Sequence, residues 1–241
     1  MTRALNILCP VALLFLLSNV LFGAERNSKY SVALKGTYTS TSKLFPTPDA
    51  AQEALRNRTV EFNDLLGFGL EIRRQLGDES IEVVVGVEYL RTSKTGLASS
   101  PGGSPAVRLP IEDGYRFIPL EFTGYYIVPF SSETVRFYMG GGAGFYYGER
   151  IYRVMNKTAQ TVETQVAFGI HVLTGVDYHF GRLLAVRGEL KFRDPQFNMT
   201  SKFTTSEVEY NGTLYKLSQK PFISRVNLDG IVFTLGVVLN F

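Results

Sequence analysis

Apolar and polar positions alternate along most of this chain, and the alternation recurs. Tyr30, Val32, Leu34, Gly36 and Tyr38 share one parity, and Ser31, Ala33, Lys35 and Thr37 fill the other. Successive side chains of a strand point to opposite faces, so this pattern predicts a strand with one apolar and one polar face. Similar stretches follow at 66–73, 81–89, 118–128, 135–147, 168–178, 184–193 and 231–241, so eight strands are expected. Pro119 cannot donate to a ladder, so a bulge is expected there.

The connections alternate as well. Short turns are predicted at 75–79, 129–134 and 181–182, and long loops at about 42–60, 92–113, 149–163 and 195–225. A helical turn is predicted at 49–56. The second loop is rich in Gly, Ser and Pro around Ser99 to Gly103. Asn211-Gly212 is a hairpin signal inside the fourth loop.

The first 23 residues read as a targeting segment. Arg3 precedes a nearly unbroken apolar stretch from Leu8 to Phe22, and Gly23-Ala24 closes it with small residues. This is the pattern of a cleaved signal peptide, residues 1–23, with an uncleaved membrane anchor as the alternative. The remainder, 24–241, is expected to be one barrel domain. No later stretch is apolar enough to span a bilayer as a helix. Cys9, the one cysteine, lies inside the leader. A mature chain without cysteine excludes disulfides and thiolate metal sites.

Charge sharpens the picture. The polar faces carry six cations, Lys35, Arg73, Arg136, Arg187, Lys191 and Arg193, and six anions, Glu71, Glu82, Glu88, Glu121, Asp177 and Glu189. The apolar faces carry charge only near strand ends, at Asp64, Arg74, Arg91 and Arg116. In lipid every backbone polar group must pair within the protein, so strands must close into a barrel, apolar face outward. A soluble barrel would do the reverse, and alternation alone does not separate the two. The leader, the short-turn and long-loop asymmetry and the last strand favour the membrane. The net charge of +3 is not gathered into a basic stripe, which argues against nucleic acid as a partner.

The last strand ends at Phe241, with Leu239, Val237, Leu235, Phe233 and Ile231 on its face. With the glycine-rich strands 138–144 and 169–178, the mature chain resembles the small eight-stranded outer-membrane barrels, the superfamily of the OmpA barrel, OmpX and OmpW. The resemblance implies an all-β, closed, antiparallel up-and-down transmembrane barrel in the bacterial outer membrane. It also implies that Phe241 is part of the signal read by the barrel assembly machinery.

The twelve interior charges are the main candidate site. An eight-stranded barrel is just wide enough to be filled by its side chains, so paired charges predict a plugged lumen. A narrow polar channel is the functional alternative. His171, His179 and Asp177 fall on one inward face, but the pairing of His with Ser used by the superfamily's lipid-modifying enzymes is missing, so no catalytic residue is expected. No metal set has diagnostic spacing, and no cofactor is expected. The Gly140 to Gly144 run is followed by no Lys-Ser/Thr and opens no helix, so it predicts room for bulky neighbours rather than a phosphate loop. Tyr30, Tyr38, Tyr89, Tyr126, Tyr147, Tyr178 and Phe241 predict interfacial girdles.

The reading is a structural and surface-interaction scaffold that displays its loops, and not an enzyme. The alternative is a narrow channel for small or hydrophobic solutes, as a resemblance to OmpW implies. A lipid-modifying enzyme is the least favoured reading. The expected partners are outer-membrane lipid, the assembly machinery and an extracellular ligand.

Overall fold

The computed structural model describes residues 29–77, 80–99 and 107–241. The segment read as a leader and the tip of the second loop lie outside the described residues. The chain runs through β1 (Tyr30–Phe45), the short helix α1 (Glu53–Arg56), β2 (Val60–Leu76), β3 (Ile81–Ser99), β4 (Arg108–Ile127) and β5 (Val135–Val154). It continues through β6 (Lys157–Thr164), β7 (Ala167–Phe180), β8 (Leu184–Arg193), β9 (Gln196–Phe203), β10 (Glu207–Tyr210), β11 (Thr213–Lys216), β12 (Phe222–Asn227) and β13 (Ile231–Asn240).

Eight strands close a ring. β1 pairs with β2, and each strand through β5 pairs with the next. β5 then pairs with β7, β7 with β8, β8 with β13, and β13 returns to β1, every pair antiparallel. The fold is therefore a closed up-and-down barrel, with the strand count expected from the alternation. Closure pairs backbone groups that an open edge would leave bare. No helix among the described residues is long and apolar enough to cross a membrane, and strands do not need one.

Burial shows which face is inside. On the outward parity Leu66 is 71% exposed, Ile170 72% and Leu235 72%. On the inward parity Arg187 is 0% exposed and Lys191 1%. A barrel with apolar residues outside and charges inside suits hydrocarbon, not water.

The wall continues past this belt. β6, β9 and β12 prolong β7, β8 and β13, and they pair from β5 through β6, β9 and β12 to β1. Much of the segments 92–113, 149–163 and 195–225, expected as loops, is therefore strand, whereas 42–60 is strand only at 42–45 and at Val60. The signal used for the membrane strands was an apolar outward face, and it vanishes here. On β9 the outward residues are Asn198, Thr200 and Lys202, while Phe197, Met199 and Phe203 are buried inside. The alternation persists with its chemistry inverted. β10 and β11 form the predicted hairpin, with both turn residues at positive φ, Asn211 at 49° and Gly212 at 75°.

Two local details position the interior. The inward parity of β1 runs through Lys35, Thr37 and Thr39 and then slips to Ser42 and Leu44. β2 slips beside it, from Leu65 to Phe62, at Asp64, whose φ is 62°. Asp tolerates this left-handed conformation better than most residues, and the Tyr38 hydroxyl donates to its carboxylate at 2.5 Å. Both strands slip together, so their register is unbroken. At Pro119 the expected bulge is absent. Val87 still faces Leu120 and Leu90 faces Phe117, so rungs are missing but no residue is added. The missing N–H falls on the β3 side, because the ladder to β5 runs on through Pro119 and Tyr146.

Candidate functional site

The interior of the ring holds the twelve charges named from the sequence, and the structure brings them into one connected chain. It starts at the rim opposite the extension, where Arg136 reaches Glu82 only loosely, at 3.9 Å. Glu82 accepts from Arg73 at 3.0 Å, and Arg73 also meets Asp177 at 3.2 Å. Arg187 grips Asp177 with two donors at 2.8 Å each and gives a third hydrogen bond to Glu71 at 2.7 Å. Two parallel N–H donors on one carboxylate fix geometry as well as charge. Lys35 joins Glu71 to Glu88, at 2.5 and 3.0 Å. Lys191 and Arg193 both bridge Glu88 and Glu121, over 2.6 to 3.1 Å. Glu189 stands 3.8 Å from Lys191 and accepts from the hydroxyls of Tyr125 and Tyr138.

Each charge arrives by strand periodicity. Arg187, Glu189, Lys191 and Arg193 are alternate residues of β8, so one strand supplies a third of the network. The partners come from across the lumen, and Arg187 and Glu71 are 116 residues apart in sequence. Tyr125 and Tyr138 stack at 4.8 Å, and the Arg73 guanidinium lies over the Tyr125 ring at 4.9 Å. Glycines make the room. A Cβ on Gly140 would lie 2.7 Å from the Tyr125 ring.

Above the charges the lumen turns apolar. Leu44, Phe62, Leu65, Leu90, Tyr115, Phe117, Phe197, Met199 and Val226 pack there as one buried cluster. Two residues join the layers. Arg193 lies under the Phe117 ring at 5.4 Å, and the Tyr146 hydroxyl reaches down to Glu121 at 3.0 Å. Higher still, Arg150 grips Asp113 with bonds of 3.1 and 2.9 Å and lies 4.7 Å from the centre of the Tyr152 ring. The β10–β11 hairpin lays Val208, Tyr210 and Tyr215 against Phe203 and Phe222 across this upper end.

The sequence reading did not single out Asp113, Tyr115 or Arg150. Asp113 and Arg150 fell inside presumed loops. The signal was present, because Leu109, Asp113, Tyr115 and Phe117 continue one inward parity of β4. The histidines part company. His171 is buried, and its Nε2 shares a 2.8 Å hydrogen bond with the Thr123 hydroxyl. Asp177 is held by Arg73 and Arg187 instead. His179 lies at the end of β7 beyond the ion pairs, so the three form no triad. Among the described residues no cluster of His, Cys, Asp and Glu is suited to a metal. Of the proposed girdle, Tyr30, Tyr126, Tyr147 and Tyr178 are exposed on the outward face. Phe241 closes the last strand by exchanging backbone hydrogen bonds with Tyr30, at 3.2 and 2.9 Å.

No protein-family model matches the chain, and no curated protein matches it. Solved structures do. The outer membrane protein OprG from Pseudomonas aeruginosa aligns with a TM-score of 0.56 and 12% identity, over 90% of this chain and 97% of that one. The outer membrane protease OmpT from Escherichia coli aligns at 0.47 and 11% identity, over 91% and 99%. Neisserial surface protein A aligns at 0.45 and 12% identity, over 90% and 100%. The last two are too distant to carry an argument. The likeness to OprG is one of fold, that of a small closed β-barrel.

Proposed function

We propose that this chain is exported, loses residues 1–23 and inserts into the outer membrane as a sealed barrel. Its working part is the ordered extracellular extension, which presents a surface to an extracellular ligand. One observation carries this reading. The lumen is filled twice over, by a connected chain of six cations and six anions and by an aromatic layer above it. An ion or solute entering would have to break buried pairs, and removing one partner of such a pair costs about 3–5 kcal/mol. Phe241 acts in this reading as the terminal mark for the assembly machinery, and the surrounding lipid is the principal partner.

A second reading rests on a seam. The ladder between β2 and β3 ends at Gly67 and Leu90. Beyond it, among the described residues, β2 pairs only with β1 and β3 only with β4, and Lys94 spans the gap to the Glu61 carbonyl at 2.6 Å. Behind the seam lies the apolar cluster. A hydrophobic solute could use it as a way into the wall, which favours a narrow channel over an enzyme.

Conductance of the folded protein in a planar bilayer separates the two. A silent bilayer is expected for the wild type, with openings only after Arg187→Ala. Steady conductance in the wild type, with selectivity that follows lumen charge, would sink the sealed scaffold.

A further inference from the structure

The outward face of the wall is apolar up to one level and then changes abruptly. On β4 and β5 the last uncharged outward rung is Ile118 beside Tyr147, with Tyr89 on the same parity of β3. The next outward rung is Arg91–Arg116–Glu149, in register across all three strands. Two cations directly opposite each other on one face of a sheet repel and weaken the ladder.

The rung is only partly neutralised from within. Arg116 donates to Glu149 through Nε, at 2.8 Å, and through Nη2. The Tyr147 hydroxyl holds the other oxygen of Glu149 at 3.0 Å. Arg91 makes no side-chain hydrogen bond or ion pair among the described residues. Glu149 thus serves Arg116 alone and leaves Arg91 without a carboxylate among the described residues, and the Arg116 side chain is still 51% exposed. β2 leaves β3 just here, so no paired strand stands beside Arg91 on that side. On β2, Phe68 faces Tyr89 on the last paired outward rung, and Leu66 stands one rung higher beside the gap, 62% and 71% exposed.

We infer that Arg91 and Arg116 form a docking site for the phosphate of an outer-leaflet lipid headgroup. The inference rests on the membrane-barrel reading. Guanidinium forks match phosphate oxygens in shape and charge, and Arg116 is already held in place by Glu149 and Tyr147. The phosphate supplies the negative charge that the rung lacks. The acyl chain lies along Leu66 and Phe68, which a free phosphate cannot use. This placement, at the boundary between aromatic rings and charge, selects a lipid over a dissolved anion.

The test titrates the folded protein without residues 1–23, in neutral detergent, with a diphosphorylated glucosamine-disaccharide lipid and with the same lipid dephosphorylated. Binding is read by native mass spectrometry. Arg91→Gln is expected to weaken binding of the phosphorylated lipid about tenfold, the loss of one charge-assisted contact. Arg91→Lys should fall between, and Glu149→Gln should bind at least as well as wild type. The dephosphorylated lipid should bind wild type no better than the phosphorylated lipid binds Arg91→Gln. Equal binding of the phosphorylated lipid by wild type and Arg91→Gln, in variants that keep the migration of folded barrel in gels, would overturn the site. Displacement of the lipid by millimolar inorganic phosphate would overturn the lipid as its source. Failure of wild type to insert into phosphatidylcholine vesicles would instead overturn the membrane-barrel reading itself.

Discussion

The lower and upper halves of this barrel share a wall and invert its chemistry. Below, the outward residues are apolar and the interior is ionic, from Arg73 to Arg193. Above, the outward residues of β9 are polar and the interior is Phe62, Tyr115, Phe197 and Met199. The change of solvent explains the inversion. Hydrocarbon takes up apolar side chains outside and pushes charges into the lumen. Beyond the membrane, water draws polar groups out and packs apolar ones within, as in an ordinary soluble core. The two fillings also fail differently. An ionic core is intolerant of losing one partner, whereas an apolar core responds to lost or added volume.

The largest expected effect tests the ionic half. Arg187→Ala removes the two-donor partner of Asp177 and one of the two cations on Glu71, and should cost about 3–5 kcal/mol, read as the urea midpoint of unfolding from lipid. If the midpoint is unchanged, the charges are hydrated and the lumen is not sealed there.

Added volume should give an intermediate effect in both halves. A Cβ on Gly148 would lie 2.1 Å from the Phe197 ring, and one on Gly175 would lie 2.4 Å from the Tyr138 ring. Each Gly→Ala change should cost about 1–3 kcal/mol by overpacking. The Gly148 variant should loosen the extension alone, so limited proteolysis should cut the segment 196–227 first. Equal protection in both variants would mean that the two halves unfold as one unit.

The smallest effect is expected where the upper half carries an ion pair of its own. Replacing Asp113 and Arg150 together by Leu removes both charges and should shift stability by no more than about 1 kcal/mol, because apolar replacement of a whole buried pair is often neutral. Replacing Arg150 alone should cost more. A double variant as unstable as the single one would show that this pair does more than neutralise itself.

Much of the lower barrel was legible in the sequence. The period of two marked all eight strands of the ring, its breaks at 75–79 and 181–182 marked short turns, where Gly77 and Gly181 stand at φ 58° and 82°, and Asn211-Gly212 marked a hairpin. The charges of the lumen could be named because each sat on a polar parity. The upper strands are not legible as lipid-facing strands, because their outward residues are polar and their pattern is that of a solvated loop. Asp113 and Arg150 were lost with them.

Alternation by itself determined that this chain makes two-faced strands, how many of them close the ring, and which residues share a face. It did not determine which face is inside, because a period of two is identical for a barrel in water and a barrel in lipid. Only closure of the sheet decided that Arg187 is buried and Leu235 exposed. The partners were likewise decided by tertiary structure. Arg187 meets Glu71, and Lys191 meets Glu88 from 103 residues away, because strand tilt and stagger bring non-neighbouring strands face to face across the lumen. Sequence distance carries no trace of that geometry, since it exists only once the ring has closed.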